Sequence, residues 1–335
     1  MELALILLIV VIVLTLMFDY INGFHDAANA IATVVSTRVL NARQAIAMGA
    51  ILNFAGALTG TKVAATIGSG LVDISAISIV TVTATVLAAI IWNLITWYKG
   101  LPTSSSHALI GSLIGASFVS SGASTAHIHM DKFYNKVFLP MIGSPLLGIT
   151  TGFIIMALLT RLVWKWKLPT INKTFGKLQI VSAGFMAFNH GLNDAQKSMG
   201  IIALAIMLTY QLDEFSVPLW VKLACALFMG LGTAMGGWRI IRTLGTRVIQ
   251  LQPIHGFAAE TTASLIIFSA SQIGMPVSTT HVISTSIMGV GATKRISAVR
   301  WGIVGRIVWA WILTLPLTFI LAALLMLCLK NIIPL

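Results

Sequence analysis

The hydrophobic positions of this chain fall in long runs, not in the spaced stripes of amphipathic surface helices. Runs lie near residues 3–34, 44–66, 76–98, 103–120 and 137–160, and again near 179–209, 217–238, 254–273, 276–292 and 302–329. About 20 apolar residues in a helix cross the roughly 30 Å of a bilayer's hydrocarbon. The pattern predicts an all-α, polytopic integral membrane protein with 10–12 helical segments. The first and sixth runs are too long for one perpendicular helix, since about 30 residues at 1.5 Å rise reach roughly 45 Å. Both hold Gly and Asn beside a charged residue in mid-stretch, so broken or re-entrant helices are expected there.

Composition agrees. Of 335 residues, 57% are hydrophobic and 9% charged, far from the quarter or so of charged residues that a water-soluble domain carries. Leu3 to Phe18 has no basic stretch before it and no small-residue cleavage site after it, so it reads as a first span and not as a signal peptide. Cys225 and Cys328 lie in apolar runs, where cysteine is a small hydrophobe, and no disulfide or metal framework follows.

The net charge of +12 raises the question of nucleic acid, but its placement excludes that class. Lys and Arg gather in short connections: Arg38 and Arg43; Arg161, Lys165, Lys167, Lys173 and Lys177; Arg239, Arg242 and Arg247; Lys294, Arg295, Arg300 and Arg306. Loops holding Asp73, Asp131, or Asp213 with Glu214 alternate with them. Short basic loops stay on the cytoplasmic side. The alternation predicts a multi-pass protein of the cell membrane with both termini outside.

Two strings occur twice. Gly23-Phe24-His25-Asp26-Ala27-Ala28-Asn29 matches Gly191-Leu192-Asn193-Asp194-Ala195-Gln196-Lys197 at an offset of 168. Gly100-Leu101-Pro102-Thr103-Ser104-Ser105-Ser106-His107 matches Gly274-Met275-Pro276-Val277-Ser278-Thr279-Thr280-His281 at an offset of 174. The same order at nearly the same offset means that a half-chain was duplicated. The expected organisation is a first repeat over 1–160, a basic cytoplasmic linker over 161–178 and a second repeat over 179–335. The first half starts outside and ends inside, so the second runs inverted, an arrangement that lets one site face either side in turn.

Asp26, Asp194 and Glu260 sit within predicted spans, with Asp19 nearby. A carboxylate at that depth costs about 3 kcal/mol or more, so it persists where it faces a polar pathway or a partner. Lys197 is placed to pair with Asp194, yet that alone leaves the duplication of the acid unexplained. The Pro-Ser/Thr strings read as helix starts, because proline and hydroxyl residues suit a first turn. Free N–H groups there bind anions, and Ser104, Ser105, Ser106, Ser278, Thr279 and Thr280 add donors; simple capping or small-residue packing is the alternative. An oxyanion beside two aspartates needs a cation or a proton between them, which makes the two cargoes interdependent. Asn22, Asn29 and Asn193 supply neutral oxygens for such a cation, so Na⁺ at Asn22, Asp26, Asn193 and Asp194 or protons on the acids are both open. Glu260 either assists that coupling or bonds across helices; Val86 stands opposite it in the first half. His25, His107, His190 and His281 are proton relays or structural groups. His127 and His129 with Asp131 form an exposed loop or, less simply, a metal site. No nucleophile–base spacing and no metal-ligand spacing marks an enzyme.

These strings resemble those of the inorganic phosphate transporter family of phosphate permeases, as does the Ala-Glu-Thr stretch at Glu260. The resemblance covers nearly the whole chain. It implies a homodimer with one site per protomer that imports phosphate by Na⁺ or H⁺ symport, without a cofactor. It carries Asp26, Asn29, Asp194, Lys197 and the hydroxyls of residues 104–106 and 278–280 over as phosphate or cation contacts. His25 departs from the Asn of many members, which bears on the coupling ion. Some short relatives carry sulfate, the alternative anion.

Overall fold

A computed structural model of the chain describes residues 2–333. The expected external termini concern residues 1, 334 and 335, which lie outside the described residues. In chain order the α-helices are α1 (Glu2–Ser36), α2 (Ala42–Ala57), α3 (Lys62–Ala65), α4 (Ile79–Lys99), α5 (Ser105–Ser120), α6 (Met130–Phe133) and α7 (Leu139–Leu162). They continue as α8 (Leu168–Tyr210), α9 (Leu219–Met235), α10 (Trp238–Arg242), α11 (Pro253–Gln272), α12 (Thr279–Ala292) and α13 (Trp301–Ile332). Among the described residues, four helical segments are long and apolar enough to cross a membrane, or six if each bent pair counts as one span. The apolar residues they leave exposed, such as Ile9, Val13, Leu146, Leu158, Ile312 and Leu324, form the surface that lipid would cover.

The breaks lie elsewhere than expected. Both α1 and α8 run unbroken through their Gly, Asn and Asp residues. Those polar side chains are buried, and Asp26, Asn29, Asn193 and Asp194 bond side chains of other helices, so nothing forces the backbone to turn aside. The bends fall instead between α2 and α3, by 66°, and between α9 and α10, by 61°. Each bend has a glycine at positive φ: Gly60 at 83° and Gly236 at 69°. Left-handed backbone is nearly free for glycine and costly for other residues. Beyond each bend the short helix runs into a π-helical turn, Thr66–Gly70 and Thr243–Arg247. The linker also differs from expectation: α8 begins at Leu168, so most of 161–178 is helix and not loop.

The helices α1 and α8 form the centre. Every residue from 189 to 205 of α8 is buried, as is nearly all of α1 from 21 to 34. Helix α1 crosses α9, and α8 crosses α2, at pairs of glycines. A Cβ on Gly23 would overlap the Met229 carbonyl, and one on Gly232 the Tyr20 carbonyl. Gly191 meets the Asn53 carbonyl and Gly56 the Phe188 carbonyl in the same way. Small residues let helix backbones approach this closely without the driving force that water supplies. Helices α5 and α12 are short, 16 and 14 residues, which is about 24 and 21 Å. Neither spans a bilayer, and both begin at the centre. Helix α5 packs against α4 and α13, α12 against α11 and α7.

Candidate functional site

Each Pro-Ser/Thr string opens a helix, as its residues predict. Ser104 and Ser278 are the N-caps, with extended backbone, and their hydroxyl oxygens accept from His107 N at 3.1 Å and His281 N at 3.2 Å. The capping reading therefore holds for these two oxygens, although a hydroxyl that accepts still has a proton to give. The next two residues in each string point inward. The Ser105 hydroxyl reaches Asp26 Oδ2 at 3.4 Å, and the Thr279 hydroxyl donates to Asp194 Oδ2 at 2.9 Å. Asn29 Nδ2 donates across to Thr280 Oγ1 at 2.9 Å and Thr279 Oγ1 at 3.3 Å. Lys197 Nζ crosses the other way, to the Ser106 hydroxyl, and in its own half bonds the Val277 carbonyl at 3.3 Å and pairs with Asp194 Oδ1. Each acid thus bonds the helix start of its own half, Asn29 bonds that of the other half, and Lys197 bonds both.

All of these side chains are buried. The two acids converge: Asp26, Asp194 and His190 each place one ligand atom within 4.8 Å of the others. His190 Nδ1 lies 2.9 Å from Asn53 Oδ1, whose amide nitrogen in turn donates to Thr233 at 2.7 Å. That chain assigns an Nδ1 proton to the bond with Asn53. Nε2 faces the acids, 3.1 Å from Asp194 Oδ2. His25 is tied down at both nitrogens, to Asp26 Oδ1 at 2.6 Å and Thr96 Oγ1 at 3.0 Å. His107 and His281 meet edge to face with ring centroids 4.8 Å apart, and His281 stacks at 4.0 Å on Trp311, whose indole N–H donates to the Pro102 carbonyl. Among the described residues, His107 Nδ1 and both ring nitrogens of His281 have no hydrogen-bond partner.

Buried oxygens without a donor mark the same region: Asn22 Oδ1, Asn29 Oδ1, Asn193 Oδ1 and Asp19 Oδ2. Native structures leave few such atoms, and each calls for a reason. An amide oxygen does not take a proton at ordinary pH but does ligate a hard cation. Asn193 is anchored through its nitrogen, to Ser271 at 2.7 Å, which leaves the oxygen for that use. Asp19 Oδ1 accepts from Ser198, at 2.6 Å.

Glu260 stands apart. It lies opposite Thr33, about two turns along α1 from Asp26, and takes hydrogen bonds from Thr33, Ser182 and, at 3.1 Å, Gln179. It ties α1, α8 and α11 together through neutral donors. The partners Thr33, Gln179, Ser182, Asn53 and Thr96 carry no sequence signal of their own, since each occurs once outside the duplicated strings. His127 pairs with Asp73 at 3.5 Å and the His129 ring bonds the Gly70 carbonyl, so both histidines hold the 127–129 loop to residues 70–73. Bonds from the Ser75 hydroxyl and N–H, and then His127, hold the exposed Asp73 carboxyl below its ordinary range.

A model described as "Phosphate transporter family" matches residues 22–322. A Bacillus subtilis (strain 168) protein described as "Probable low-affinity inorganic phosphate transporter" is 45% identical over 326 residues, 96% of this chain and 97% of that one. One of the same description from Rhizobium meliloti (strain 1021) is 43% identical, covering 95% of each chain. A solved structure named "The sodium-dependent phosphate transporter" superposes with a TM-score of 0.89 at 23% identity, over 98% of this chain and 100% of that one, a likeness of fold.

Proposed function

The chain belongs to the phosphate transporter family, and from that premise we propose that it imports inorganic phosphate by cation symport with alternating access. Phosphate lies between the starts of α5 and α12, held by their first-turn N–H groups, the hydroxyls of Ser104, Ser105, Ser106, Ser278, Thr279 and Thr280, the Lys197 ammonium and the Asn29 amide. The observation that carries this reading is the crossed set of bonds from Asn29 and Lys197, which brings both helix starts onto the acid pair. The relatives' names specify phosphate and lend no support to sulfate.

Charge supplies the coupling. Asp26, Asp194 and Lys197 sum to one negative charge, and phosphate adds one or two more in a buried space. A cation must enter with the anion, because uncompensated charge at that depth is prohibitive. The donor-free amide oxygens of Asn22, Asn29 and Asn193 favour Na⁺ over a proton, with Asp26, Asp194 and His190 as further ligands. The two repeats, 1–160 and 179–335, are inverted in the membrane, with the basic loops and the 161–178 linker inside, and two copies of the chain make the working unit.

Phosphate uptake into proteoliposomes, with a sodium gradient and a proton gradient imposed separately, tests the proposal. Accumulation should follow the sodium gradient. Accumulation driven by the proton gradient alone would overturn the choice of ion, and no uptake under either would overturn transport by this mechanism.

A further inference from the structure

The bent helix pairs make a second set of crossed contacts, away from the pocket. At one end of the molecule Lys62 Nζ donates to the Gln272 carbonyl at 2.9 Å, and Thr66 Oγ1 to the Gly274 carbonyl at 2.7 Å. These carbonyls close α11 just before the Pro276 string. At the other end Arg239 Nη1 donates to the Tyr98 carbonyl at 2.8 Å, and Thr243 Oγ1 to the Gly100 carbonyl at 3.1 Å. Those close α4 just before the Pro102 string. Lys62 and Arg239 are 177 residues apart, as are Thr66 and Thr243, while Gly100 and Gly274 are separated by the 174 of the strings. The Thr hydroxyls also share a second acceptor in the same way, Lys62 O at 3.3 Å and Arg239 O at 3.2 Å.

The π-helical turns that follow seat on the central helices by the same rule. A Cβ on Gly68 would come within 2.7 Å of the Gly200 carbonyl oxygen on α8, and one on Gly245 within 2.7 Å of the Ala32 carbonyl oxygen on α1. Residues 32 and 200 are again one 168-residue offset apart. Each bent arm therefore belongs to one half and clamps the other, gripping both its central helix and the turn that leads into its substrate helix.

We infer that these are the two gate latches of the transport cycle: Lys62 with Thr66 closes the face that carries Asp73 and Glu214, and Arg239 with Thr243 closes the basic face. Both sets of bonds are made here, and the pocket residues are buried, which is the occluded arrangement. Opening to one side breaks one latch and keeps the other. Packed interfaces of this kind switch between discrete arrangements and do not bend continuously. Lys62 and Arg239 hold carbonyls at the ends of α11 and α4, where the helix dipole favours a cation. Arg239 also lies over the Trp97 and Tyr98 rings, 5.0 and 4.9 Å from their centroids. These four residues touch no phosphate. They position the helix starts that do.

The inference rests on the transport reading, and its test reads access instead of uptake. Cysteines are placed at Thr103 and Val277, equivalent buried positions in the two strings, in a Cys225→Ala, Cys328→Ala background. A membrane-impermeant maleimide is then applied to right-side-out and inside-out vesicles. With Lys62→Met and Thr66→Val, labelling at 277 from outside should rise about tenfold, the shift expected from losing a charge-assisted hydrogen bond. With Arg239→Met and Thr243→Val, labelling at 103 from inside should rise instead. Lys62→Arg should restore protection. If the double variants do not reach the membrane, the isosteric Thr66→Val and Thr243→Val are labelled alone. Labelling that ignores the latches, or that rises equally from both faces, overturns the inference. Uptake is measured in parallel: side-specific labelling without uptake would sink the transport reading alone, and uptake without side-specific labelling would sink the latches alone.

Discussion

Asn29 and Lys197 occupy the same place in the duplicated strings, yet only one of them carries charge. Lys197 neutralises Asp194, three residues before it on α8, whereas Asp26 has His25 and the Ser105 hydroxyl for company. The pair is therefore electrically lopsided, and under the proposed symport Asp26 is the carboxylate left for the coupling cation. Removing one partner of a buried ion pair strands the other, at a cost of about 3–5 kcal/mol. Lys197→Met should lower the melting temperature of the detergent-purified protein markedly, and adding Asp194→Asn should recover most of it while uptake stays lost. Recovery of uptake as well would mean that Lys197 serves the fold and not the anion. The acids, the hydroxyls and the Asp194–Lys197 spacing were all readable from the sequence, because duplication and helical periodicity flag them. The surroundings of Glu260 and His190 were not. Their partners come singly from α1, α2, α8 and α9, and only packing brings them together.

For the helices, the sequence misleads where polar residues interrupt an apolar run. Asn22, Asp26 and Asn193 looked like places for α1 and α8 to break, but each is buried in the helix interfaces and most have side-chain partners, so the helix ladder survives. The true bends sit at Gly60, between Thr59 and Thr61, and at the Gly236-Gly237 pair, near the ends of runs that look continuous because glycine is common in membrane helices. The glycines that open the Asp strings have a different task, the backbone crossings of α1 with α9 and α8 with α2. Overpacking a tight contact costs about 1–3 kcal/mol, and more where backbone must shift. Gly191→Ala should therefore destabilise the purified protein clearly in a thermal melt. Gly143→Ala, where a Cβ would meet nothing within 4 Å, should not. Equal melting temperatures for the two variants would mean that the crossings are looser than the backbone distances imply.

At the scale of the whole molecule, the duplicated order of strings leads to the expectation of two related halves, and the alternation of basic and acidic loops to an expected orientation. What could not be read was that the halves exchange partners: α1 with α9, α8 with α2, and the bent arms with the opposite half. Such pairings depend on shape complementarity across more than a hundred residues, which no local pattern encodes. Their consequence is a buried polar cluster shared by both halves, and the proposed symport has anion and cation meet there. Two ligands that meet in one pocket must each tighten the binding of the other by the same factor. The most direct test is therefore the affinity of purified protein for radiolabelled phosphate, measured across a sodium titration at constant ionic strength, for the native chain and for Asp26→Asn. Phosphate affinity should climb with sodium in the native chain, and the climb should vanish in the variant. An affinity indifferent to sodium, or a climb that persists without the Asp26 carboxylate, would contradict the shared pocket.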